Sequence, residues 1–266
     1  MQAKRYPPYG DDLFTEPANI DADTLRNLGP LTRLAGRWRG VKGVDVNPKA
    51  DGPRTQGYIE RFDLVPLDPQ TNGPQLLYGL RYHQHVVKPG EIQTYHDQIG
   101  YWLWEPATGL LMQTVSIPRG QTPLATGVAD RDATRFELRA ARGELTNGIV
   151  SSPFLDEAFT TTEYCISVTM HDDGSWSYEE DTVLQLLGRS EPFHHTDRNT
   201  LTLLSAPVPN VLAGGTTRSA GRSRAPFAPW ALPDGSRSGR RRPLSRDVGA
   251  RFFVQCVTPS VGLPRT

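Results

Sequence analysis

The chain has 266 residues, balances 29 basic against 29 acidic side chains and is 37% apolar, a low apolar share for one compact domain of that length. Two cysteines, Cys165 and Cys256, exclude a disulfide framework and a cysteine-based metal site, and no stretch approaches the roughly 20 apolar residues of a membrane-spanning helix. The neutral total hides an asymmetry: residues 207–266 hold ten Arg, no Lys and only Asp234 and Asp247, so that segment is strongly basic and the rest about as strongly acidic.

The first residues carry Pro7, Pro8, Asp11 and Asp12 and no apolar run. That is unlike a signal peptide and predicts a soluble, cytoplasmic protein. Residues 1–30 form an N-terminal segment, where Asp21–Leu28 predicts a short helix capped by Asp21. The reading adopted is a plain N-terminal helix rather than a lid or plug.

From residue 31 the texture changes to short segments of period-2 alternation broken by Gly, Pro, Asn and Asp. Arg61–Val65, Leu77–Val86, Gln98–Trp104, Gly109–Ile117 and Thr134–Ala140 are such segments. In the last, Phe136, Leu138 and Ala140 share an apolar face while Arg135, Glu137 and Arg139 face water, as in a half-buried antiparallel strand. Thr160–Met170 and Trp176–Leu186 flank Asp173-Gly174, a strong hairpin signal. Roughly nine or ten strands with short links, and no long amphipathic helix, predict an all-β fold. A closed antiparallel up-and-down barrel removes the exposed edges and leaves a cavity for a small ligand; a sandwich is the competing architecture. The barrel is placed at residues 31–206.

Residues 207–266 are rich in Arg, Pro, Gly and Ser. Such a composition buries too little apolar area to offset chain entropy, so a disordered tail is expected. Arg240–Arg242 would also suit an arm binding nucleic acid or acidic lipid, but the reading adopted is no nucleic acid and no membrane. Arg without Lys beside so much Pro, Gly and Ser also fits out-of-frame translation of GC-rich DNA.

Three stretches carry candidate chemistry. Leu34–Gly40 contains Gly36-x-Trp38-x-Gly40, which sets one large ring between two glycines; Trp38 reads as a core anchor plugging one barrel end. Thr94–Trp102 puts His96 at the start of a strand beside Asp97, where spacing alone favours a surface residue. Glu191–Leu201 enters the last strand, and the neighbours His194 and His195 face opposite sides if extended, so one of them can point inward. Neutral imidazole is a good iron ligand, although a turn histidine bonding its own backbone is the plainer reading. Alternation along the acidic run Glu179–Asp181 puts Glu179 and Asp181 on one face and Glu180 on the other; paired carboxylates could serve general acid–base chemistry, but a solvated outer face is the reading adopted. No phosphate-binding loop, dinucleotide fingerprint, nucleophile elbow or zinc-protease motif is present, and no catalytic residue is assigned.

Taken in order, Gly36-x-Trp38-x-Gly40, His96-x-x-x-Gly100-Tyr101 and the late His194-His195 pair resemble the nitrobindin-like haem-binding β-barrel family over residues 31–205. The resemblance implies a ten-stranded barrel related to fatty-acid-binding proteins and lipocalins. It implies ferric haem b as cofactor, held by His195 as the iron ligand with His194 the next choice. His96 would lie on the opposite, distal side, and Trp38 belongs to the cofactor-binding set. It also implies reaction with nitric oxide or peroxynitrite, up to peroxynitrite isomerase activity; the alternative is a non-catalytic carrier of an apolar small molecule. This sequence departs from the family where Lys42 replaces a third glycine and Gly43 follows. Asn47-Pro48-Lys49 and Thr146–Ala158 look like longer loops.

Overall fold

Twelve strands make up most of the structure: β1 (Gly36–Lys49), β2 (Gly52–Pro66), β3 (Gln70–Asn72), β4 (Gln75–Val87), β5 (Thr94–Glu105), β6 (Leu110–Ser116), β7 (Gln121–Val128), β8 (Arg135–Ala141), β9 (Ile149–Ser151), β10 (Phe159–Met170), β11 (Trp176–Leu186) and β12 (Phe193–Ser205). The computed structural model describes residues 9–10 and 12–209. Nearly all of the predicted tail, with Cys256 and Arg240–Arg242, lies outside the described residues. No helix among the described residues is long and apolar enough to cross a membrane.

Pairing of β1 with β12 and of β2 with β4 closes the sheet on itself. The result is a ten-stranded antiparallel barrel with β3 and β9 as side pieces, and the sandwich is excluded. Closure gives every wall strand a neighbour on both sides, which removes the exposed edges of an open sheet. β7 meets β8 at Thr126 and Arg139, and its first half pairs instead with β9.

The predicted alternation holds in β8, where Phe136, Leu138 and Ala140 are buried and the residues between them are exposed. The β10–β11 hairpin turns where expected. Gly174 has φ +85°, and the His171 N–H donates to the Ser175 carbonyl at 2.9 Å.

Three expectations need correction. The N-terminal helix α1 covers only Thr24–Asn27, and its cap is Asp23, whose side chain accepts from the Arg26 N–H; Asp21 instead accepts from the Asp23 N–H. A 3-10 segment, Gly29–Leu34, follows. Its i, i+3 spacing stacks Leu28, Leu31 and Leu34 on one face, and all three are fully buried in the barrel core. The segment is therefore a plug. Trp38 Nε1 donates to the Leu34 carbonyl at 2.7 Å, and Arg33 bonds the His171 carbonyl. Secondly, Asn47-Pro48-Lys49 is strand rather than loop. These residues pair with Arg54, Pro53 and Gly52, leaving Ala50 and Asp51 as the turn. The two prolines face each other at the end of the ladder, where a missing N–H disturbs least. Thirdly, Thr146–Ala158 is not plain loop: it carries β9 and a short helix, α2 (Pro153–Ala158).

The core occupies the plugged end. Trp38, Phe62 and Trp176 meet there at ring separations of 5.5 to 6.0 Å in edge-on geometry. Trp102 packs on Phe136 in the same way, the arrangement that aromatic quadrupoles prefer.

Candidate functional site at the barrel mouth

Away from the plug, the same inward positions carry polar side chains. A bulge in β1 makes this possible. The ladder between β1 and its two neighbours shifts register between Gly40 and Gly43–Val44, leaving Val41 and Lys42 exposed. One extra residue reverses which side chains face in. Gly43, Asp45 and Asn47 therefore face the interior, and Lys42 does not stand in the missing glycine's place; Gly43 does. Both glycines make room for the interior: a Cβ on Gly40 would fall 2.2 Å from the Asn199 amide, and one on Gly43 2.2 Å from the Tyr58 ring.

Below the mouth a hydrogen-bonded layer crosses the barrel. Glu60, 1% exposed, accepts from Gln84 Nε2 at 2.6 Å, Asn199 Nδ2 at 2.7 Å and the Tyr178 hydroxyl at 3.0 Å. Tyr178 and Tyr58 share a hydroxyl contact of 2.8 Å. Burial pushes the Glu60 carboxyl up to about 7 against the pull of its three donors. A second line runs His96–Gln98–Tyr82 along one wall. The Tyr164 hydroxyl bonds Gln113 Oε1 and Glu180 Oε1. On the side opposite to the exposed Glu179, Glu180 faces inward. Burial pushes it up to about 8, and the nearby Asp197 charge adds to that.

At the mouth itself β1, β5 and β12 converge. Of the histidine pair, His195 turns inward and His194 turns out. His194 Nδ1 lies 2.8 Å from Asp181 on the outer face. His195 Nε2 stands 2.8 Å from Asp45 Oδ1 and 3.5 Å from Asp197 Oδ2, and its side chain remains 32% exposed. Asp45 is only 3% exposed; its other oxygen accepts from Asn47 Nδ2 at 2.7 Å and from the Tyr95 hydroxyl. Burial would raise the Asp45 carboxyl, but these donors and the His195 charge outweigh it and hold it below the usual carboxylate range. Burial would likewise lower the His195 imidazole; the Asp45 carboxylate and the Asp197 charge hold it above its ordinary value. Asp197 is pushed up to about 7, first by burial and then by the Asp45 charge, against the pull of His195.

Spacing alone placed His96 on the surface; its ring instead faces the interior, Nε2 3.1 Å from Gln98 Oε1. Burial lowers its imidazole below the ordinary value and favours the neutral ring. The structure thus brings His195 and His96 to the mouth and leaves His194 outside. Trp38 is not with them. It sits seven residues along β1 from Asp45, roughly 20 Å by strand rise, in the plugged end. Asp45, Asn47, Tyr58, Glu60, Glu180 and Asp197 escaped the sequence reading.

The profile of the THAP4-like, heme-binding beta-barrel domain family matches residues 27–202. The chain belongs to this haem-binding β-barrel family. Among solved structures it is similar to the crystal structure of Rv2717c from M. tuberculosis, at 21% identity and TM-score 0.48, covering 68% of this chain and 96% of that one. No curated protein matches it. Membership of a haem-binding family supports haem as ligand. The donor chemistry at this mouth fits an iron porphyrin: His195 faces the interior with a carboxylate behind its ring, the arrangement that orients metal-bound imidazoles and raises their basicity. His96 adds a neutral ring at the same end.

Proposed function

We propose that this barrel binds ferric haem b at its mouth through His195, with His96 on the distal side. The observation that carries the reading is the inward turn of His195 beside the buried Asp45. A bound haem would supply an iron centre open to nitric oxide or peroxynitrite, as haem proteins with a free iron position do. Asp45 would hold the His195 ring by one nitrogen and leave the other for iron. His96, kept neutral and oriented by Gln98, would offer a hydrogen-bonding group to a small molecule entering from the other side. Peroxynitrite isomerisation is the reaction proposed for such a site.

The alternative, a carrier of an apolar molecule, has less support. A long apolar ligand reaching down the barrel would have to lie against Glu60, Gln84, Gln98, Asn199 and two tyrosine hydroxyls, all buried, and strip them of partners at a cost of about 1–3 kcal/mol each.

The test is a visible-absorption titration of the full chain with ferric haem. A Soret band saturating at one equivalent, lost in His195→Ala and kept in His194→Ala, is the expected result. A flat titration, or loss in His194→Ala alone, would overturn the reading.

A further inference from the structure

Asp45, His195 and Asp197 come from two neighbouring strands, β1 and β12, with Asp45 and Asp197 directly opposite in the ladder. One ligand atom from each lies within 4.8 Å of the other two. The His195 Nε2 separations, 2.8 Å to Asp45 and 3.5 Å to Asp197, bear comparison with a coordination sphere. Ligands about 2.1 Å from a first-row divalent ion stand roughly 3.0 Å apart in an octahedron and roughly 3.4 Å apart in a tetrahedron. The two separations bracket those edges, and the two carboxylates complete the triangle within 4.8 Å.

Asn47 supplies a second, independent observation. It is 7% exposed. Its amide nitrogen donates to Asp45 Oδ2 at 2.7 Å and to the Tyr95 hydroxyl at 3.0 Å, while its Oδ1 is buried and has no hydrogen-bond partner. A buried carbonyl oxygen without a donor is costly and rare. A cation beside Asp45, or water bound to that cation, would satisfy it.

We propose that the mouth is also a two-carboxylate, one-histidine site for a bare divalent first-row transition-metal ion, with Asp45, His195 and Asp197 as ligands and Asn47 beside them. One imidazole among carboxylates selects Mn2+, Fe2+ or Zn2+ over Mg2+ and Ca2+, which take oxygen donors. Tyr95 and Asn47 hold Asp45 in place from outside the ligand set. Positions not filled by protein open towards solvent, since the side chains of His195 and Asp197 stay 32% and 26% exposed. A neutral His195 ring offers one lone pair at a time, to the ion through Nε2 or to haem iron through the other nitrogen, so the two occupants exclude each other.

The experiment uses the full chain stripped with chelator. Mn2+ is titrated and followed by electron paramagnetic resonance, and Zn2+ is titrated by calorimetry. One equivalent of each should bind, at least tenfold more weakly in Asp197→Asn and in Asp45→Asn, with circular dichroism confirming that both variants fold. Asp181→Asn, on the outer face, should bind as the parent does. No saturable binding, or binding lost in Asp181→Asn and kept in Asp197→Asn, would overturn the site. Preloaded Zn2+ should suppress the Soret band; haem and Zn2+ bound together would overturn the exclusion. The haem reading fails separately: metal binding without a Soret band removes haem and leaves this site standing, whereas a Soret band without metal binding does the reverse.

Discussion

The two ends of the barrel share ten strands and one alternation, yet they are built from opposite chemistry. In strand after strand the inward residues change character part-way along. β1 passes from Trp38 to Asp45, β2 from Phe62 to Glu60, β4 from Leu80 to Gln84, β5 from Trp102 to Gln98 and β12 from Leu201 to Asn199. On the plugged side burial of aromatic and aliphatic area drives folding. On the mouth side buried polar groups hold their places through hydrogen-bond partners, many of them on other strands across the barrel. One half supplies the stability that lets the other half bury carboxylates.

The most forceful way to break this division is to thin the plug. Leu31→Ala removes a fully buried side chain from the middle of the apolar end and should cost about 2–5 kcal/mol, the range for large-to-small core changes, read as a shift of the urea midpoint. Below that midpoint the metal and haem titrations should keep their stoichiometry. If they fail together with stability, the two ends are one unit and the division is wrong.

A smaller effect is expected from the polar layer. Tyr178→Phe deletes the hydroxyl that touches Tyr58, Glu60 and Gln84. Groups left short of a partner in a buried layer should cost about 1–3 kcal/mol, again by urea denaturation. No loss would mean that water already serves these groups.

The strands were legible because alternation and turn residues are local; closure into a barrel rested on the need to remove exposed edges and on the family resemblance, since the same pattern also suits a sandwich. Phe136, Leu138 and Ala140 announce a strand, and Asp173-Gly174 announces its neighbour's turn, without reference to the rest of the chain. The polar layer was not legible, for a physical reason. Glu60 is buried because Asn199, 139 residues away, and Gln84 donate to it, and no local pattern records such partners. Alternation separated Glu180 from Glu179 and Asp181 but could not say which face was inside. The β1 bulge hid the parity of Asp45, since one extra residue reverses the reading beyond Gly40. Two adjacent histidines on a strand guarantee one on each face, but alternation could not say which; the choice of His195 came from the family resemblance.

Glu180 offers a test by pH. Its folded carboxyl is pushed up to about 8, mainly by burial, whereas an unfolded glutamate titrates near 4.3. Between those values the native state holds a proton that the unfolded chain releases, so this group's contribution is full below the unfolded value and is lost as pH rises through about 8. Each unit of separation corresponds to about 1.4 kcal/mol. Glu180→Gln keeps an acceptor for the Tyr164 hydroxyl and cannot ionise. Its stability should therefore be flatter with pH and exceed the parent's at pH 9, measured by urea midpoints across pH 5 to 9. Parallel curves would show that Glu180 is ionised throughout.

The smallest effect should come from the outer surface. Arg142, just beyond β8, pairs with Asp156 in α2, and both side chains are well exposed, at 39% and 45%. Solvent and salt screen such a pair, and ordering two side chains offsets most of its Coulomb gain. Arg142→Ala should leave the urea midpoint within measurement error at 0.15 M salt, even though Arg142 holds Asp156 below the ordinary carboxylate range. A clear loss of stability would show that α2 is fastened chiefly by this contact. The helix buries no residue of its own, so such a result would make a surface ion pair, rather than packing, the device that holds α2 in place.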